Sequence, residues 1–173
     1  PSFEEQAKMV KEAGYDGYYA TALKWLERIA ELTDAKGIQI ALYPHFGFWL
    51  ETVSDALRLA KKLNNPSVGV ILTSYHWYHV KKEGMEIFDE VAPYLKSVNL
   101  CGSRHWENKE DIVNNMNPSI EPTDAGTKDI PAIFAKLEEI GFTGPIGIQG
   151  YGVNAPAKEA LDRSIAKAKD LMA

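Results

Sequence analysis

A single cysteine, Cys101, in 173 residues excludes an internal disulfide framework and offers no thiolate cluster for a structural metal. Positive charge is not in excess either: 19 Lys and Arg stand against 24 Asp and Glu, for a formal net charge of −5. With a sequence pI near 5.4, a nucleic-acid partner is not expected, because binding phosphates takes a basic stripe. The lysines fall singly along helix faces (Lys8, Lys11, Lys24, Lys36, Lys61, Lys62), the pattern of a solvated surface. No apolar run approaches the roughly 18 residues needed to span a bilayer, so no membrane partner is expected, and no signal peptide is read. The chain opens on Pro1 rather than Met, which implies removal of something before it. Localisation is left open, with the cytoplasm slightly favoured. The familiar catalytic templates are absent as well: no Gly-rich phosphate loop ending in Lys-Ser/Thr, no G-x-G-x-x-G, no G-x-S-x-G and no H-E-x-x-H.

What is present is three short apolar runs that each end in polar, aromatic and glycine residues. They are Ile38–Leu42 followed by Tyr43-Pro-His45-Phe-Gly-Phe-Trp49, Val68–Leu72 followed by Thr-Ser-Tyr-His76-Trp77, and Pro145–Ile148 followed by Gln149-Gly-Tyr151-Gly. The carboxyl ends of parallel strands are where ligands sit in α/β proteins and β/α barrels. Few acidic residues stand at these ends, and that scarcity is the most informative absence of all.

Helices fill the space between the runs. Ser2 and Glu5 form a capping box, with Phe3, Ala7 and Val10 at helical spacing and Gly14 as the stop. Tyr15–Ala20 reads as a short aromatic strand. A helix then runs from Thr21 to Gly37, another over Val53–Leu63, another over Met85–Leu95 with Pro93 ending its last turn, another from Asp129 to Gly141, and a last one ends at Leu171. Ser97–Gly102 is a further strand, and Ser103–Thr127 a long polar loop. Alternation of about five strands and six helices, without hairpin signals, predicts parallel strands joined by right-handed crossovers in one domain over 1–173.

His45, at a strand end beside an aromatic wall, reads as a proton-transferring or hydrogen-bonding group, or as a residue tying down a tight loop. His76 reads as a site residue and His79 as surface. Trp49 and Trp77 offer rings on which a sugar could stack. Arg104, with His105 beside it, could hold an anionic group or make a loop salt bridge. Gln149 can bind hydroxyls but cannot act as a base, and Tyr151 can stack or donate. Trp25 and Phe134 are taken as core.

At the three strand ends the chain resembles the sugar phosphate isomerase/epimerase family, whose fold is the xylose isomerase-like TIM barrel. The resemblance runs from Thr21 onward and is best at Ala41–Trp49, at Val68-Gly-Val with His76-Trp77, at Gly126 with Asp129, and at Gly144–Gly152. It implies that Ser2–Ala20 is a helix and the following strand, and that the strand ends form a pocket for a small carbohydrate or sugar phosphate. Metal-dependent members hold a divalent ion such as Mn or Mg with Glu, Asp and Glu. The matching positions here are Tyr43, Thr73 and Gln149, with Asn99 and Gly102 where the family has His and Asp. A hard cation loses the oxygen charge it needs, so no metal ligand and no cofactor are expected from these residues; Mn or Mg is implied by the resemblance only.

The expectation is therefore an isomerase/epimerase-like protein. His45 and His76 are the catalytic groups, and Trp49, Trp77, Arg104, His105, Gln149 and Tyr151 are the substrate-binding ones. The alternatives are a sugar-binding pseudoenzyme or a truncated barrel with an incomplete site. About five strands is short of eight, so the barrel closes differently, pairs with a second copy as a homo-oligomer, or belongs to a longer chain.

Overall fold

A computed structural model of the chain describes the backbone over residues 3–104 and 120–172, with side chains from residue 17 onward within those ranges. A helix, α1, runs without a break over Phe3–Asp34. The strand expected at Tyr15–Ala20, and the stop expected at Gly14, are therefore corrected. Tyr19, Ala22, Leu23, Leu26 and Ala30 all pack on the core, and this 3.6-residue stripe outweighs the local preference of the aromatics for a strand. Tyr19 also donates its hydroxyl to the Arg58 carbonyl at 3.3 Å. Gly37, at φ +66°, ends the helix as expected, and the Ile38 N–H reaches back to the Thr33 carbonyl at 3.1 Å. The expected capping residue, Ser2, lies outside the described residues. Trp25 is 62% exposed, as the outer face of α1 requires, and does not join the core.

Four strands form one parallel sheet: β1 (Ile40–Leu42), β2 (Val68–Thr73), β3 (Leu95–Leu100) and β6 (Ile146–Ile148), in the order β1-β2-β3-β6. Between them in the chain lie β4 (Gly102–Ser103) and β5 (Ile120–Glu121), which pair antiparallel. The expected long loop thus contains a strand and ends in a turn that returns to Ser103, whose carbonyl accepts from Thr127 N–H at 2.8 Å. Val68, Val70, Leu72, Val98 and Leu100 alternate toward the helices and build the main core.

The helices after α1 are α2 (Val53–Leu63), α3 (Ser74–Val80), α4 (Ile87–Val91), α5 (Ile130–Glu139) and α6 (Ala157–Leu171). The start of α2 is fully capped. Thr52 Oγ1 accepts from Asp55 N–H at 3.0 Å and Asp55 returns the bond at 3.1 Å, while Glu83 accepts from Val53 and Ser54 at 2.9 and 2.7 Å. The helix expected over Met85–Leu95 is shorter: α4 passes into a 3₁₀ turn at Ala92–Tyr94, where Pro93 lies, and β3 begins at Leu95. Asp129 caps α5 as its sequence predicts, accepting from Ala132 N–H at 2.9 Å. Among the described residues no helix is long and apolar enough to cross a membrane.

Candidate functional site

Three segments converge at the carboxyl end of the sheet. After β1 the chain folds back on itself, His45 N–H donating to the Leu50 carbonyl at 2.8 Å and Phe48 N–H to the His45 carbonyl at 3.0 Å. After β2 the backbone turns at once into α3, so His76 lies one helical turn beyond the strand. After β6, Gln149 is tied to β3 by its N–H donating to the Leu100 carbonyl at 2.8 Å. Together they form a cleft of about 500 Å³ lined by Tyr43, His45, Phe48, Tyr75, His76, Ile120, Gln149 and Tyr151.

Within it the His45 ring is sandwiched between Phe48 and His76, with centroid distances of 4.1 and 3.9 Å. One residue, Phe46, sets the protonation pattern of both imidazoles. Its carbonyl lies 2.8 Å from His45 Nδ1, so neutral His45 donates there and leaves Nε2 with a free lone pair. Its N–H donates to His76 Nδ1 at 3.3 Å, so neutral His76 carries its proton on Nε2. Burial, reinforced by His45, His79 and Lys128, pushes His76 down to about 3. At neutral pH His76 is thus an uncharged donor, set beside the Nε2 of His45. Gln149, in the wall of the cleft, contributes a buried Oε1 that finds no hydrogen-bond partner among the described residues.

Other candidate residues lie elsewhere. Trp77 packs edge-on against Phe88 at 5.4 Å, with its indole in the core. Trp49 stacks on Tyr18 of α1 at 5.3 Å. Neither lines the cleft. Arg104 is paired with Glu121 across β4 and β5, and His105 lies outside the described residues. His79, expected at the surface, is 2% exposed and its Nε2 meets Ser103 Oγ at 2.8 Å. Because β2 ends at Thr73, the period changes from two to 3.6, and His79 turns inward with His76.

Sequence reasoning missed Lys128, which is 7% exposed although it stands between the end of the polar loop at Thr127 and the helix expected from Asp129. Its amine donates to Ser74 Oγ at 3.1 Å and to the Cys101 carbonyl at 3.2 Å. Burial holds it well below the usual lysine range, at about 8. Asp129 and Gly126 beside it were the only signals in that stretch, and they point to backbone geometry rather than to a buried amine.

The model of one protein family, described as the xylose isomerase-like TIM barrel, matches residues 3–171. The chain belongs to that family. As a xylose isomerase-like TIM barrel chain it is similar to the IOLI protein with a bound zinc atom, at 18% identity and TM-score 0.72 over 91% of this chain and 57% of that one. It is equally similar to 3-keto-D-glucoside 4-epimerase, YcjR, from E. coli, at 18% identity and TM-score 0.72 over 91% of this chain and 55% of that one. D-psicose 3-epimerase with D-tagatose from Clostridium cellulolyticum H10 matches at 16% identity and TM-score 0.71, over 92% of this chain and 57% of that one. The chain spans just over half the length of these structures, and its four-stranded parallel sheet is part of such a barrel. A search of curated proteins finds no match.

The donor set of the cleft decides whether a divalent ion fits. Among the described residues, the cleft wall offers two imidazoles, phenols and an amide but no carboxylate, and there is no group of three or more His, Cys, Asp or Glu that could hold an ion. That set does not fit a hard divalent cation.

Proposed function

We propose that this chain carries an isomerase/epimerase-like site for a small carbohydrate, in which the imidazoles of His45 and His76 handle the proton. The observation that carries the reading is the Phe46 backbone, which leaves His45 Nε2 as an acceptor and His76 Nε2 as a donor in one cleft. His45 takes the proton from the carbon beside a sugar carbonyl. His76 donates a hydrogen bond to the carbonyl oxygen as it gains enolate charge, and the proton returns to carbon from His45 or from solvent. A neutral histidine suits the donor role because its own proton stays in place through the step. Gln149 Oε1 accepts from a substrate hydroxyl, and Tyr43, Phe48 and Tyr151 present rings to the sugar face.

A second reading, a sugar-binding protein without turnover, is favoured by the lack of a carboxylate among the described residues of the cleft wall. One experiment separates them. The chelator-treated protein is titrated calorimetrically with ketoses, aldoses and their phosphates, with and without Mn²⁺, and every ligand that binds is incubated in D₂O and followed by NMR. Deuterium entering at the carbon next to the carbonyl, lost in His45→Gln, supports the catalytic reading. Binding without exchange supports the second. No binding to any member of the panel sinks both, and binding strengthened by Mn²⁺ contradicts the metal-free site.

A further inference from the structure

The short helix α3 carries His76 and is held at both ends by buried polar contacts, one to β4 and one to the end of β3. At its C-terminal end, His79 Nε2 meets Ser103 Oγ at 2.8 Å. At its first residue, Ser74 Oγ accepts from the Cys101 N–H at 3.3 Å and from the Lys128 amine at 3.1 Å. The same amine donates to the Cys101 carbonyl at 3.2 Å and lies 5.3 Å from the centre of the Tyr78 ring. Lys128 therefore joins three pieces of chain: the start of α3, the end of β3, and the segment that leads into α5. Burying an ammonium is costly, lysines are seldom this enclosed, and among the described residues no carboxylate pairs with this one. A neutral hydrophobic residue would fill the same space without that cost.

We infer that Lys128 is a positioning residue for His76, fixing α3 on the end of β3 so that His76 Nδ1 stays on the Phe46 N–H and its proton stays on Nε2. The catalytic consequence rests on the proposed function, whereas the structural coupling does not. The basic groups facing His76 are His45 from the loop after β1, His79 from its own helix, and Lys128 from the segment before α5, and each acts against its protonation. Tyr43 and Tyr75 pack edge-on against its ring. Lys128 so acts on His76 in two ways, through the helix it anchors and through its charge.

The test is nitrogen NMR of the histidine side chains between pH 5.5 and 8, with amide hydrogen exchange, on the wild type, Lys128→Met and Ser74→Ala. Ser74→Ala cuts the same knot without removing a charge or leaving a large void, so it decides the matter if Lys128→Met does not fold. The wild type should show one His76 tautomer, with Nε2 protonated, across the range. The inference expects mixed tautomers for His76 and at least tenfold faster exchange of the Phe46 amide and the α3 amides in each folded variant, with the β3 amides little changed. Variants that fold and keep the wild-type His76 signals and exchange rates overturn it, whatever their turnover. If the ring signature shifts while no sugar is bound or exchanged by the wild type, the coupling stands and the proposed function fails.

Discussion

Acid should destabilise this protein through His76 well before its carboxylates are protonated. The ring is 3% exposed, and its folded value of about 3 lies below the ordinary 6.5. As pH falls, the unfolded chain takes up the proton first. The stability this group contributes is complete above 6.5 and is lost as pH falls from there toward 3. The whole span amounts to about 5 kcal/mol, of which about 2 kcal/mol is lost between pH 7 and pH 5. The perturbation is His76→Asn, whose Oδ1 falls near the place of Nδ1 and still accepts from the Phe46 N–H but does not titrate. Urea unfolding of both proteins at pH 7 and pH 5 gives four free energies, and the other titrating groups largely cancel in the double difference. The wild type should lose about 2 kcal/mol more than the variant over this interval. Equal losses, within about 0.5 kcal/mol, would refute a buried neutral His76.

Three further outcomes follow from the packing. Thr52→Ala removes the cap of α2 and should lower stability by about 1 kcal/mol in denaturant unfolding, without altering the slope. Phe88→Ala opens a cavity under Trp77 in a fully buried site and should cost about 3–5 kcal/mol by the same measurement. Gly126→Ala meets both a φ of +90° and Ser103 backbone atoms at 2.5–2.8 Å from the new Cβ. It should destabilise by more than about 1 kcal/mol and raise exchange of the Thr127 amide; a neutral effect would mean that the turn is not held against Ser103.

Much of the fold was legible because three of its strands, β1, β2 and β6, are short apolar runs with abrupt polar ends, whereas β3, with Lys96, Ser97 and Asn99 in it, begins two residues before the expected Ser97. The family resemblance rests on the same ends. The errors have physical causes. At Tyr15–Ala20, glycines and aromatics read locally as a turn and a strand, yet Tyr19 and the residues after it continue a helical stripe that only tertiary packing makes decisive. His79 was misplaced because β2 gives way to α3 at Thr73, so a period of two was carried one turn too far. In the cleft, His45, His76, Gln149 and Tyr151 meet as residues at strand ends can be expected to, but Trp49 and Trp77 turn away to pack on Tyr18 and Phe88. No side-chain pattern could reveal that a backbone residue, Phe46, sets both imidazoles. Nor could one reveal Lys128, since a lysine in a polar stretch reads as solvated until the chain closes over it.

The diverging tryptophans give the molecule its own internal reporters. Trp49 emits from a stack with Tyr18, so its spectrum follows whether α1 is docked on the loop after β1. Trp77 sits against Phe88 and follows the packing beneath α3 and α4. Trp25, on the open face of α1, already resembles a tryptophan in water and contributes a constant background. Single-tryptophan versions of the protein would therefore resolve the detachment of the first helix from the melting of the sheet, and would show whether the two happen together.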